Sequence, residues 1–280
     1  MSVAEAIREA STRLSQTSDT ARLDAELLMA HALGVSRSEL LLRSMQANVP
    51  EGFERLITRR ASHEPVAYII GRAEFYGREF LVNPDVLIPR PDSETIIETA
   101  LEALGDAETA TLLDLGTGSG ALLLTLLTER TGFSGIGLDS SDAALQVAQS
   151  NADRLGLSDR AKFMNRDWTN AGTGPEAWPG GLPQVDLIVA NPPYVETSAD
   201  LSPDVRDFEP AGALFAGSDG LDDYRILIPT LHALLKPGGV AVLEIGASQG
   251  PAVCDLGKSS GFNPQLHLDL ANRPRAVVLR

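Results

Sequence analysis

Asp114-Leu-Gly-Thr-Gly-Ser-Gly120 stands between an apolar run, Thr111-Leu-Leu-Asp-Leu115, and a stretch of helical periodicity from Gly120 to Arg130. A strand that runs into a glycine-rich turn and then a helix brings unpaired backbone N–H groups to one point, where glycines let a ligand approach closely. Downstream the alternation continues. Strands are expected at Gly135–Asp139, Ala161–Met164, Val185–Ala190 and Val240–Glu244, with helices at Ser141–Leu155, Tyr224–Leu235 and Pro251–Ser260. Strands that alternate with helices of this length form a parallel sheet with crossover helices. Asp139 ends the strand after the glycine turn, 19 residues past Gly120, where a carboxylate holds ribose hydroxyls in such folds. The turn alone leaves alternatives open. Read with Ala121 as G-x-G-x-x-A it also suits a nicotinamide dinucleotide, and a strand-to-helix turn needs no ligand at all.

The two ends of the chain differ from this middle. Gln265–Asp269 and Ala276–Leu279 are strand-like and joined by a short polar turn, so they must pair antiparallel. The expectation is an α/β fold: a mostly parallel seven-stranded sheet that ends in an antiparallel hairpin. Toward the N-terminus, residues 2–63 read as short helices, with Val3, Ala6, Ile7, Ala10 and Leu14 at helical spacing, Gly34 as a stop, and Ser36 or Ser38 as a cap. Between them, Val66–Ile70, Ala73–Tyr76 and Glu79–Val82 are short, aromatic and β-branched, which reads as a connecting strand or hairpin. A helix is expected from Ser93 to Leu104. The expected organisation is therefore a helical domain over residues 1–70, a linker over 71–91, and the main domain over 92–280.

The chain has 280 residues, 43% hydrophobic and 22% charged, which suits a globular protein with a substantial core. No apolar run reaches the ~18 residues of a membrane-spanning helix. One cysteine, Cys254, excludes an internal disulfide framework, and the four histidines, His31, His63, His232 and His267, lack metal-ligand spacing. The start lacks an apolar signal core, so a cytoplasmic protein is expected. The net charge is −15, and residues 1–70 are nearly neutral, with eight basic against nine acidic side chains. That balance disfavours direct binding of nucleic acid, which needs clustered Lys and Arg.

Asn191-Pro-Pro-Tyr194 follows the strand Val185–Ala190, so it shares the carboxyl edge of the sheet with the glycine turn. Alone it also reads as a rigid loop. The chemistry that fits both motifs together is methyl transfer to a planar nitrogen, whose delocalised lone pair is a poor nucleophile. The Asn191 side-chain oxygen and the Pro192 carbonyl can accept hydrogen bonds from an NH2 group and orient it, prolines hold that carbonyl, and Tyr194 offers an aromatic face. A sulfonium donor supplies an activated methyl without a metal.

With these motifs the chain resembles class I S-adenosylmethionine-dependent methyltransferases of Rossmann-like fold, and more closely the release factor glutamine methyltransferases. The resemblance spans Glu64-Pro-Val-Ala-Tyr-Ile-Ile-Gly71, Val86-Leu-Ile-Pro-Arg-Pro91, the glycine turn, Arg166-Asp-Trp168, Asn191–Tyr194, Phe208-Glu-Pro210, Asp219-Gly-Leu221 and Leu243-Glu-Ile-Gly246, besides the helical N-terminal domain. The Asn-Pro-Pro-Tyr string is shared with adenine and guanine methyltransferases, whereas Ile88–Pro91 and the helical domain discriminate. The resemblance implies N5-methylation of the Gly-Gly-Gln glutamine of peptide-chain release factors, which modulates translation termination, with S-adenosylhomocysteine as the other product. It implies that Gly116, Thr117, Gly118, Ser119 and Gly120 cradle the methionine end of the cofactor and that Asp139 holds the ribose. Trp168 then packs beside the adenine with Asp167 at its amino group, and Asn191, Pro192, Pro193 and Tyr194 hold the glutamine, Asn191 also reaching the cofactor. Where the family has Glu-Thr-Glu after the Ile-Pro-Arg-Pro segment, this chain has Asp92-Ser93-Glu94.

Three rival readings remain distinguishable. A nucleic-acid amino-methyltransferase would share Asn191–Tyr194 but conflicts with the acidic balance. A binding protein without turnover conflicts with the intact motifs, and a dinucleotide oxidoreductase leaves Asn191–Tyr194 unexplained. Asp222-Asp223 reads as a helix start, Glu244 equally as a structural or a functional buried carboxylate, and Val195–Gly220 as a substrate-covering loop. The expected partners are release factors, with no membrane, and a monomer is the expected state.

Overall fold

The computed structural model describes residues 1–170 and 181–280. The chain divides into two compact units, Met1–Arg72 with Leu201–Phe208, and Ala73–Asp200 with Glu209–Arg280.

The first unit is helical: α1 (Val3–Leu14), α2 (Ala21–Leu33), α3 (Phe53–Ala61) and α4 (Val66–Ile70), with a helical turn at Arg37–Glu39 that continues into a π-type turn at Leu40–Ser44. Ser2 starts α1 with a capping box to Glu5, and Ser36 repeats the device with Glu39. Gly34 ends α2 in the left-handed region, the role its position suggested. Val3, Ile7, Leu14, Leu28, Met29, Leu40 and Ile57 form the core. Within it Arg60 meets Asp24 at 2.7 Å, both side chains buried, and Ser18 and Thr20 also donate to that carboxylate. Val66–Ile70 corrects the sequence reading, which took this β-branched, aromatic stretch for a strand. It is one helical turn between Pro65 and a left-handed Gly71, and it buries Tyr68 and Ile69. Pro65 pre-sets the helix entry and Gly71 the exit, and tertiary burial overrides the weak β propensity of five residues.

The second unit opens with a hairpin of β1 (Arg72–Phe75) and β2 (Arg78–Leu81), whose first residue falls on the unit boundary. The central sheet has seven strands: β3 (Ala110–Leu115), β4 (Phe133–Asp139), β5 (Ala161–Asn165), β6 (Val185–Ala190), β7 (Leu235–Glu244), β8 (Pro264–Leu268) and β9 (Pro274–Leu279). Their order is β5-β4-β3-β6-β7-β9-β8. The strands from β5 to β7 are parallel, and β9 runs antiparallel to both β7 and β8. The expected fold, a mostly parallel sheet closed by an antiparallel hairpin, is the observed one.

Side chains alternate across this sheet, as a period of two requires. Leu112, Leu187, Val189, Val242 and Val278 pack on one side with residues of α5 (Glu94–Leu104), α6 (Ala121–Glu129) and α7 (Asp142–Leu155). Leu113, Leu115, Ile188, Leu243 and Val277 pack on the other with residues of α8 (Asp222–Leu227) and α9 (Gly250–Ser259). The helix expected over Tyr224–Leu235 is broken instead. α8 passes into a 3-10 turn at Ile228–Thr230 and a last helical turn at Leu231–Leu234. Pro229 lacks the N–H that a continuous helix needs. Among the described residues no helix is long and apolar enough to cross a membrane.

Candidate active site at the carboxyl edge of the sheet

β3 sits at the switch point of the sheet, with β4 on one side and β6 on the other, and ligands bind open α/β sheets at that place. The turn after β3 carries Gly116, Gly118 and Gly120 with φ of 78°, 53° and 82°, a region other residues rarely adopt. Gly116 and Thr117 donate their N–H groups to the Leu138 carbonyl at 2.9 and 2.8 Å, which ties the turn to the end of β4. Thr117 Oγ1 donates to the buried Asp114 at 2.7 Å. Nothing lies within 4 Å of where a Cβ on Gly118 would stand, and Gly118 faces a cavity of ≈ 330 Å³. That volume lies in the range of small-molecule sites.

The expected site residues reach this cavity to different degrees. Gly116, Thr117, Gly118, Ser119, Asp139, Trp168, Asn191 and Pro193 line it, while Gly120, Asp167, Pro192 and Tyr194 are adjacent to lining residues in sequence without lining it themselves. Asp139 Oδ2 accepts the Gly118 N–H at 2.9 Å and Oδ1 the Ser141 N–H at 3.0 Å, so the carboxylate is aimed by two backbone donors. The Trp168 ring covers Gly116, since a Cβ there would stand 3.0 Å from the ring. Asp167 Oδ1 accepts both the N–H and the hydroxyl of Thr169, closing its own turn. Asn191 donates from Nδ2 to Ser93 Oγ at 3.3 Å, and the Tyr194 hydroxyl donates to Glu244 Oε1 at 3.3 Å.

Several supporting contacts were not visible in the sequence. Asp223, expected only to start a helix, accepts the Trp168 indole N–H at 2.6 Å, and burial pushes its carboxyl up. Gln249 donates to the Tyr194 carbonyl at 3.0 Å and the Gly220 carbonyl at 3.1 Å, and accepts the Gly246 N–H at 3.0 Å. A Cβ on Gly220 would stand 2.2 Å from the Tyr194 carbonyl oxygen, so this glycine permits the close approach. Arg90 pairs with the buried Glu209, which also accepts the Ile88 N–H at 3.3 Å, joining the Ile88–Pro91 and Phe208–Pro210 segments. Pro89, Pro210, Gly212 and Ala213 bring both segments to the cavity wall. The segment Val195–Gly220, expected as a loop, includes a short helix at Pro203–Phe208 and a 3-10 turn at Ala211–Ala213.

The indole hydrogen bond gives a specific expectation. Asp223→Ala frees the Trp168 ring and should raise KM for the methyl donor several-fold at nearly constant kcat, since the ring stands over the glycine turn and not at the reacting nitrogen. Steady-state kinetics with varied donor checks this, and an unchanged KM would remove Asp223 from the cofactor pocket.

This edge, with its glycine cradle, aimed carboxylate and adjacent Asn-Pro-Pro-Tyr turn, defines an S-adenosylmethionine-dependent methyltransferase of class I. Residues 106–249 match the family model described as "Methyltransferase domain", and residues 5–71 match the "PrmC N-terminal domain". A methyltransferase structure from Pyrococcus furiosus aligns with TM-score 0.52 at 14% identity over 73% of this chain and 89% of that one, a likeness of fold alone. The release factor glutamine methyltransferase of Cereibacter sphaeroides is 43% identical over 100% of this chain and 99% of its own length. That of Moorella thermoacetica is 41% identical over 99% and 98%. The chain belongs to the release factor glutamine methyltransferase family.

The residues present fit S-adenosylmethionine. The open space at Gly118 admits a ligand against the backbone, and α6 begins at Ala121 with no side-chain cap on its first N–H groups.

Proposed function

We propose that this enzyme methylates the side-chain N5 nitrogen of the glutamine in the Gly-Gly-Gln motif of peptide-chain release factors, and so modulates termination. The observation that carries the reading is the orientation of Asn191. Its Nδ2 is engaged by Ser93 while the residue lines the cavity one strand away from the glycine turn, which leaves Oδ1 as an acceptor for a substrate amide.

S-adenosylmethionine supplies a methyl group activated by its sulfonium, with S-adenosylhomocysteine as product. Gly116–Gly120 hold its methionine end, Asp139 its ribose, and Trp168 with Asp167 its adenine. Asn191 Oδ1 and the Pro192 carbonyl accept the two amide hydrogens of the glutamine. They would favour pyramidalisation of its nitrogen as the N–CH3 bond forms and the donor's sulfur–methyl bond breaks, and the surplus proton of the nitrogen would pass to solvent. Pro192 and Pro193 keep that carbonyl fixed, and Tyr194 packs against the planar amide. Asp114 is pushed up to about 7 by burial, with Thr117 opposing, so it keeps a proton more readily than an exposed carboxyl beneath the turn. We further propose action in the cytoplasm as a monomer, without direct contact to nucleic acid. Incubation with methyl-labelled donor and either release factor, DNA or RNA tests the assignment. Label is expected on the release factor alone, and label on either nucleic acid would overturn it.

The helical unit is proposed as the docking domain for a part of the factor remote from its glutamine, because a tripeptide loop offers little binding area. Leu23, Leu41 and Leu42 are exposed there, Leu42 by 80%. Leu42→Asp should raise KM for intact release factor several-fold and leave a short Gly-Gly-Gln peptide unaffected. Equal KM values for wild type and variant on the intact factor would exclude Leu42 from the docking surface.

A further inference from the structure

Glu244, at the end of β7, is a buried carboxylate to which the proposed mechanism gives no part. It has 0% exposure, its Oε1 accepts from Tyr194 at 3.3 Å, and Oε2 has no hydrogen-bond partner among the described residues. The Ser93 hydroxyl is near enough to the same carboxyl to favour its charged form, and its proton goes to no other acceptor among the described residues. Ser93 is in turn the acceptor of the Asn191 Nδ2 hydrogen bond. Three of these four side chains are ambiguous. A serine or tyrosine hydroxyl both donates and accepts, and an asparagine amide presents either end. Only an ionised carboxylate is an acceptor without a donor, so only Glu244 can give the chain of hydrogen bonds a direction.

We infer that Glu244 is a positioning residue for methyl transfer: its carboxylate draws the Ser93 hydroxyl proton, so that Ser93 accepts from Asn191 Nδ2 and Asn191 Oδ1 is turned to the substrate amide. The same carboxylate anchors the Tyr194 hydroxyl, holding both ends of the Asn-Pro-Pro-Tyr turn. A buried carboxylate is costly unless paired, and two hydroxyls with an indirect cation are a thin set of partners. The groups facing it are Ser93 and Asp92 from the segment before α5, Tyr194 after β6, Tyr224 of α8 and Arg275 of β9. Tyr224 uses its hydroxyl on the Glu244 backbone carbonyl at 2.7 Å, and Arg275 pairs with Asp92 at 2.7 Å, so neither neutralises the carboxylate directly. The inference rests on the proposed role of Asn191.

Glu244→Gln keeps the shape but can donate as well as accept, so it should lower kcat about tenfold and leave KM for S-adenosylmethionine within about twofold. The carboxyl is pushed up to about 7, first by burial and further by Asp92, with Ser93, Arg275 and Tyr194 opposing. Wild-type kcat should therefore fall as pH drops through about 7, when Glu244 takes a proton and becomes a donor. Glu244→Gln should lack that acid limb. Asp114 titrates in the same range under the cofactor turn and is common to both proteins, so the difference between the two profiles isolates Glu244.

The variant should not melt lower than wild type. A carboxyl with a raised folded pKa stabilises below its unfolded pKa and loses that contribution as pH rises toward 7, a loss the amide avoids. Ser93→Ala should reproduce the loss of kcat, and Ser93→Thr, which keeps the hydroxyl, should recover most of it. Wild-type kcat and an intact acid limb in Glu244→Gln would overturn the inference, as would parallel losses of melting temperature, KM and kcat with the limb unmoved. Full turnover by Asn191→Ala would instead overturn the role of Asn191 itself.

Discussion

Asn191→Ala is expected to lower kcat by about 10²–10³-fold, the range for losing one preorganised hydrogen-bonding partner at a reacting centre. Its affinity for S-adenosylmethionine should stay within a few-fold. The separation follows from the site. The glycine turn, Asp139 and Trp168 are held by β3, β4 and α8 through hydrogen bonds in which Asn191 has no part. Asn191 is held instead by Ser93, the residue immediately before α5. Truncation to alanine removes the Oδ1 acceptor and leaves the Pro192 carbonyl as the sole partner for the substrate NH2. Single-turnover rates at saturating donor, with donor affinity measured separately, check both halves. Turnover near the wild-type rate would contradict the mechanism.

Asp139→Ala should weaken S-adenosylmethionine binding by roughly 1.5–3 kcal/mol, the range for hydrogen bonds to a charged group. Its carboxylate also accepts the Gly118 and Ser141 N–H groups, so its removal releases the glycine turn as well as the expected ribose contact. Asp139→Asn, which keeps one acceptor for those N–H groups, should fall between wild type and alanine. Titration calorimetry distinguishes the three, and equal affinities would remove Asp139 from the cofactor site.

The central architecture was legible in the sequence because its signals are local. A glycine turn between a strand and a helix, an acid at the next strand end, and a brief polar turn in the tail each constrain a few consecutive residues. The errors came where local signals were weak or competed. Val66–Ile70 carries β-branched residues yet is a helix, because Pro65 and Gly71 bracket one turn and the first unit buries it. Pro229 split a helix whose apolar periodicity continued across it.

The contacts that aim the site were least legible. Trp168 and Asp223 are 55 residues apart, Tyr194 and Gln249 also 55, and Arg90 and Glu209 119. Such pairs leave no periodicity in one chain, and Asp223 alone reads as an ordinary helix-start residue. Glu244 was visible as a candidate but its direction-setting partner, Ser93, was not, because only the fold brings β7 against the segment that precedes α5. The carboxyl edge of a parallel sheet is where such distant segments converge, which is why the motifs located the site and the structure was needed to orient it.

The central claim is that the methyl group goes to one glutamine side chain of a release factor. Tandem mass spectrometry of a release factor after incubation with the pure enzyme and S-adenosylmethionine tests it most directly. A single added methyl on the side-chain amide of the Gly-Gly-Gln glutamine is the predicted result, absent when that glutamine is replaced by asparagine. Methylation at any other residue, or an unmodified glutamine with wild-type enzyme and donor present, would contradict it.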